Sequence, residues 1–298
     1  MKRSLLAIVG AAMIGVTGLA IAQHLRPEDL AAGPGTAAAK REAYGTEPQQ
    51  FGELRLPAGT GPFPIAVIIH GGCWTKGFAT LAYMSPLADA LAATGIASWN
   101  IEYRQLGDAD AGWPGTFIDW AAATDHLRVL AVRYPIDLSR VLVIGHSAGA
   151  PAALWIAARG RLPATSVIRG ADPLKITAAV AIDGPVDLMA FIGPDKFVCD
   201  KSVVSAFMGG SPAERPGRYA EANPIALLPS GVPALLVASD VLPPDEAESY
   251  KRIAMAKGDR VEVLLLEGAG HFDMLSPAKP SGSLVEARIR QILALARP

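Results

Sequence analysis

A mostly parallel β-sheet covered by helices on both faces is the fold class that this sequence predicts, and three observations carry it. Short, wholly apolar runs rich in Val and Ile recur along the chain, and stretches of helical period long enough for a crossover separate them. The composition, 51% hydrophobic against 18% charged over 298 residues, supplies a sizeable core. Apolar strands alternating with helices are strands buried on both faces, the pattern of a parallel α/β sheet. The length left after a targeting segment fits one large α/β domain or two small ones.

The expected strands are Ile65 to Ile69, Ile96 to Ile101, Val141 to Ile144, Ile176 to Ile182, Ala234 to Ala238 and Val261 to Leu266. Helices are expected over Tyr83 to Ala93, Thr116 to Arg133, Ala148 to Arg159, Pro244 to Lys257 and Leu284 to Ala296, each about as long as a crossover requires. One segment breaks the alternation. Residues 184–231 carry Pro185, Pro194, Pro212, Pro216, Pro224 and Pro229 and only short helical patches. They read as a small insertion over the C-terminal edge of the sheet, where it would shape a substrate pocket.

Ahead of the domain, Lys2 and Arg3 precede the apolar stretch Leu5 to Ile21, and Ala20-Ile21-Ala22 offers small residues for cleavage. Residues 1–22 are therefore expected to be a signal peptide, with a periplasmic or secreted product and no stable membrane insertion once it is removed. An uncleaved anchor is the alternative, because the apolar stretch approaches bilayer-spanning length. Residues 23–48, rich in Ala, Gly, Pro and Glu, read as an N-terminal arm with little core of its own, and 49–298 as the folded domain. The two cysteines, Cys73 and Cys199, exclude a disulfide-rich scaffold and a cysteine-only zinc site. In an oxidising compartment they could close one bridge, a pairing the sequence leaves open because the Cα separation decides it.

The formal net charge is −1, and Lys and Arg are scattered rather than gathered in a stripe, so no nucleic-acid footprint is present. A small, roughly neutral molecule is the expected partner. No ligand cluster of metal-binding spacing occurs, and no metal or other cofactor is expected.

The chemistry centres on Gly145-His146-Ser147-Ala148-Gly149. A serine hydroxyl is a weak nucleophile at neutral pH and needs a base beside it and a backbone that holds its oxygen outward. A buried strand before Ser147 and a helix after it, with glycines where the turn crowds, make the nucleophile elbow that meets this need. In folds built on that elbow the order is nucleophile, acid, base. His271, in the glycine-rich run Gly268-Ala269-Gly270-His271-Phe272 after the last strand, is the only histidine beyond Ser147 and is the expected base. The acid should follow a strand between them. Asp240 is favoured because it precedes the helix-and-strand unit that delivers His271; Asp183 and Asp245 are the other candidates. His70-Gly71-Gly72-Cys73-Trp74 follows the first expected strand, and its glycines let the backbone curl toward the elbow. The N–H group of Gly72 or Cys73, with that of Ala148, is the expected oxyanion donor set. Trp74 is expected to pack on the pocket wall, and His70 and His146 to act as loop-packing residues.

Together His70-Gly71-Gly72-Cys73-Trp74, Tyr103-Arg104, Gly145-His146-Ser147-Ala148-Gly149, Asn223-Pro224 and Gly270-His271-Phe272 resemble the esterase/lipase branch of the α/β-hydrolases, which includes hormone-sensitive-lipase-like esterases and kynurenine formamidases. The resemblance spans about residues 50–298. It implies an α/β-hydrolase fold and a Ser147, Asp240, His271 triad with the glycine loop as oxyanion hole. One departure stands out: the run Ala238-Ser239-Asp240-Val241-Leu242-Pro243 is one residue short of the family's spacing around the acid.

The expected function is an exported serine hydrolase that cleaves carboxylic esters of small or medium molecules through an acyl-enzyme. An aryl formamidase or a peptidase of the same fold is the alternative within the enzyme class. Export disfavours the first, whose usual substrate arises inside cells, and the second commonly carries a larger cap than this chain has room for. An inactive binding protein on the fold would be expected to lack the serine, the histidine or the oxyanion glycines. Acyl and alcohol specificity and oligomeric state are not legible.

Overall fold

The structure is a computed structural model that describes residues 24–32 and 39–295. The expected signal peptide, residues 1–22, lies outside the described residues. Eight strands form one sheet in the order β1-β2-β4-β3-β5-β6-β7-β8. They are β1 (Lys40–Ala43), β2 (Phe51–Arg55), β3 (Phe63–Ile69), β4 (Ala97–Ile101), β5 (Ile136–His146), β6 (Ala178–Ile182), β7 (Ala234–Ala238) and β8 (Val261–Leu265). From β4 to β8 in that order every pairing is parallel, whereas β1 and β2 add an antiparallel edge.

The parallel strands carry the apolar runs for the reason the sequence suggests. Along β3, Ile65, Val67 and Ile69 face one apolar cluster and Ala66 and Ile68 the other. Period-two alternation thus buries both faces of the same strand. The first face is covered by α3 (Gly115–Asp125), α4 (Leu127–Arg133) and α5 (Ala150–Ala158), the second by α2 (Ser85–Ala93) and α10 (Pro280–Leu295). α9 (Pro244–Ala256) covers β6 and β7 through Ala247, Tyr250 and Ala254. The helical stretch expected over Thr116 to Arg133 is divided at His126, which ends α3 and begins α4.

The N-terminal part of the chain departs from the reading. The arm contains a strand: β1 pairs with β2, which was also unexpected, in the register Lys40↔Leu54 to Ala43↔Phe51. Its sequence, Lys-Arg-Glu-Ala, is polar and mostly exposed, as an edge strand tolerates. A short helix, α1 (Pro27–Ala31), lies farther upstream, with Leu30 buried. Residues 184–231 hold three short helices, α6 (Asp195–Val198), α7 (Val204–Met208) and α8 (Pro216–Ala222).

Candidate active site

Ser147 stands where β5 ends and a short 3-10 turn, Ser147–Gly149, leads into α5. Its φ is +54°, in the left-handed region that a side-chain-bearing residue occupies only where its surroundings enforce it. Close approach fixes the flanking glycines: a Cβ on Gly145 would lie 1.9 Å from the Gly149 carbonyl oxygen, and one on Gly149 would lie 2.3 Å from that of Ile69. The strand–turn–helix setting expected for Ser147 is thus present.

His271 follows β8, and its Nδ1–H donates to a carboxylate at 2.7 Å. That carboxylate belongs to Asp183, not Asp240. Asp183 follows β6 directly, with φ +42°, and is fully buried. Its Oδ2 faces His271, while Oδ1 accepts the backbone N–H groups of Ser239 (3.1 Å), Val241 (3.0 Å) and Leu242 (2.9 Å). Burial alone would raise its pKa, but the bond and charge of His271 and the Leu242 N–H outweigh it and hold the carboxyl below the usual range. Asp240 is exposed, and the backbone on either side of it wraps the Asp183 carboxylate. The loop after β7, where the acid was expected, supplies N–H donors to the Asp183 carboxylate instead. Asp245 lies in the first turn of α9, and the His271 Nδ1 bond goes to Asp183 in its place.

The loop after β3 has left-handed backbone at Gly72 (φ +103°), Cys73 (+53°) and Trp74 (+50°). It passes so close to the elbow that a Cβ on Gly71 would lie 2.6 Å from the Cβ of Ser147. Gly72 and Cys73 line one cavity of about 280 Å³ with Ser147 and His271, and Ala148 is the next residue of the elbow turn. The remaining walls are chiefly apolar: Phe78, Tyr83, Val198, Val241, Phe272 and Pro27. A larger cavity of about 400 Å³ lies beyond residues 76–82 and contains none of the candidate residues. Trp74 departs from its expected place on the pocket wall. It is fully buried and stacks on Phe207 of α7, ring centroids 4.6 Å apart, the left-handed turn sending its side chain inward against residues 184–231. Cys73 and Cys199 form a disulfide with Cα atoms 5.8 Å apart, joining the oxyanion-candidate loop to the end of α6. Among the described residues no group of three or more His, Cys, Asp or Glu side chains is arranged to hold a metal ion.

Residues 53–241 match the model of the BD-FAE family. The chain belongs to the BD-FAE family. A search of curated proteins gives no match. Among solved structures, esterase B from Lactobacillus rhamnosis superposes with a TM-score of 0.72 at 20% identity, covering 92% of this chain and 89% of that one. An esterase from Pyrobaculum calidifontis gives 0.70 at 19%, covering 91% and 89%. A bifunctional GH43-CE protein from Bacteroides eggerthii gives 0.68 at 20%, with 88% of this chain covering 38% of that protein. The likeness establishes the α/β-hydrolase fold.

In this BD-FAE family member the two histidines read as packing residues have directed partners. Tyr83, fully buried, accepts the Gly71 N–H and donates its own hydroxyl proton to His146 Nδ1 at 3.0 Å. His146 Nε2–H then donates to the His271 carbonyl at 2.9 Å. A single tautomer satisfies every atom of this chain, which links the glycine loop, the elbow and the base loop. Burial, then the nearby His271, pushes the His146 pKa well below its ordinary value, so the ring is neutral as that tautomer requires. His70 stacks on Tyr103 at 4.4 Å, and its Nε2 lies 2.8 Å from Glu102 Oε1. Burial would raise the Glu102 pKa, but His70 and the backbone N–H groups of Tyr103 and Leu81 lower it on balance. The signal for these roles in the sequence was position: each histidine adjoins a motif whose backbone must be held still.

Proposed function

We propose that this protein is a serine hydrolase of carboxylic esters, with Ser147 as nucleophile, His271 as general base and Asp183 as the acid that orients it. The observation that carries the reading is the 2.7 Å bond from His271 Nδ1 to Asp183, together with the opening of both Ser147 and His271 on one cavity. With Nδ1–H committed to Asp183, His271 presents Nε2 as the acceptor for the serine proton. Ser147 Oγ attacks the ester carbonyl, and the N–H groups of Gly72, Cys73 and Ala148 receive the developing oxyanion. The alcohol leaves with the proton returned by His271, and water, activated by the same ring, releases the acid. The apolar cavity of about 280 Å³ suits a small or medium ester.

The disulfide supports export to an oxidising compartment, in keeping with the expected cleavage after Ala22. Among the described residues no helix is long and apolar enough to cross a membrane. Mass spectrometry of the exported protein should find Gln23 at its N-terminus; a full-length chain retained in the membrane fraction would favour the anchor instead.

The test is labelling by a fluorophosphonate and turnover of aryl esters by the mature protein and by Ser147→Ala, with a formyl anilide and an aminoacyl arylamide as further substrates. Ester turnover and labelling that both vanish in Ser147→Ala are expected. Turnover that survives this substitution refutes the reading, and a formyl anilide or arylamide cleaved faster than every ester reassigns the substrate class.

A further inference from the structure

The N-terminal arm was expected to have little core of its own, yet part of it reaches the site. Pro27, the first residue of α1, lines the same cavity as Ser147 and His271. The next residues of the helix, Glu28 and Ala31, border an adjoining cavity with Phe78, Ala79 and Tyr83. α1 therefore lies across the outer wall of the pocket, against the segment that follows the glycine loop.

Polar and apolar contacts hold it there, and two of the polar ones end on one side chain. His24 Nδ1–H donates to Asp273 Oδ2 and the Leu25 N–H to Asp273 Oδ1, both at 2.8 Å, so both carboxylate oxygens are taken by the arm. Asp273 is nearly buried, two residues beyond His271, and its own N–H donates to the Gly270 carbonyl at 2.9 Å. Gly270 leaves room for the latch: a Cβ there would lie 2.5 Å from the His24 ring. The apolar contact is Leu30, buried in the cluster that holds Tyr83, Met84 and Leu87. Asp273 gives both oxygens to the arm's first residues, with Lys279 Nζ also 3.9 Å from Oδ1.

We propose that α1 is a specificity-determining wall of the substrate cavity, limiting the ester chain it accepts, and that Asp273 is the positioning residue that latches it. The proposal rests on the hydrolase reading above. Pro27 gives an apolar, rigid end to the cavity, so a short chain gains cover against it and a longer chain meets it. The expected cleavage after Ala22 leaves His24 as the second residue of the mature chain, so processing delivers the latch at the free end of the protein.

The experiment measures kcat/KM of the full mature protein on two series, nitrophenyl esters from acetate to octanoate and acetates of alcohols of rising length. The variants are Leu30→Asp, Leu30→Asp with Asp273→Asn, and Pro27→Trp. Amide hydrogen exchange over residues 24–31 reports release of the arm. Apolar cover is worth about fourfold per methylene, so on release the short chain loses its cover, the longer chain loses its obstacle, and the octanoate-to-butyrate ratio should rise about tenfold or more. Pro27→Trp, which keeps the arm docked, should lower that ratio by shortening the cavity. A response in either series supports the wall, and which series responds tells whether acyl or alcohol lies against it. Length profiles unchanged in both series, with the arm released by exchange or with Trp at position 27, overturn the proposal. A wild-type protein that takes no fluorophosphonate and cleaves no ester fails the hydrolase reading instead, and the wall falls with it.

Discussion

Replacing Asp183 by Asn tests the least expected feature of the site. Three backbone N–H groups converge on Oδ1, from Ser239, Val241 and Leu242, and only an oxygen can accept them. The Asn amide is therefore held with its oxygen on that side and its NH₂ toward His271. There the amide can only donate, so His271 Nδ1 must become the acceptor and its proton moves to Nε2, the nitrogen whose free lone pair the serine proton needs. The fold keeps its three backbone bonds while the base is locked in the wrong tautomer. Loss of the productive tautomer costs about 10⁴ in kcat, equivalent to about 5.5 kcal/mol of transition-state stabilisation. Asp240→Asn changes an exposed side chain and should leave kcat within about twofold, as surface substitutions generally do. The assay is steady-state hydrolysis of an aryl ester by both variants, each first checked for unchanged thermal unfolding. An Asp240→Asn enzyme reduced by 10³ or more, beside an Asp183→Asn enzyme of near-normal turnover, would refute the assignment.

Other perturbations probe the scaffold around the site. Reducing the Cys73–Cys199 bridge releases a constraint across 126 residues, which loop-closure entropy values at about 5 kcal/mol as an upper figure, and should lower the unfolding temperature; calorimetry with and without reductant, against the Cys73→Ser, Cys199→Ser pair, checks it. Tyr83→Phe leaves the Gly71 N–H and His146 Nδ1 buried without their partner and should cost about 1–3 kcal/mol for each group left unpaired. Its effect on turnover should fall on kcat more than on KM, and denaturant titration with steady-state kinetics reads both. Acid should destabilise the protein in two stages. His146 and His126 have pKa values lowered by burial, so below about pH 6.5 the unfolded state takes up protons that the folded state refuses, and stability falls. Asp183 and Glu102 are lowered by their partners; they stabilise the fold above about pH 4 and lose that contribution as pH falls through their folded values. Urea unfolding from pH 8 to pH 3 tests both stages, and equal stability at pH 7.5 and pH 5 would rule out neutral buried histidines.

The parallel sheet, its helices, the strand–turn–helix setting of Ser147 and the place of His271 beyond the last strand were legible because each rests on local pattern. Wholly apolar strands demand cover on both faces, and a sharp strand-to-helix turn demands glycine on both sides of its serine. The edge was not legible. Lys40–Ala43 has no apolar alternation, and what makes it a strand is the ladder offered by β2. Nor was the disulfide: Cys73 and Cys199 are 126 positions apart, and only the docking of the insertion brings their Cα atoms to 5.8 Å.

The acid divides the two kinds of information most sharply. Residue type and strand-end position reduced the choice to a few carboxylates, and that much the sequence determined alone. Asp183 and Asp240 follow β6 and β7, which are neighbours in the sheet and so only about 5 Å apart in the hydrogen-bonding direction. Either could face His271 from such positions. The tertiary structure is what favours Asp183 as the proposed acid: the loop after β7 points its N–H groups at Asp183 and leaves Asp240 exposed. A buried carboxylate with three such donors and an imidazole can stay ionised, whereas an exposed one has water for a partner and no need of the histidine.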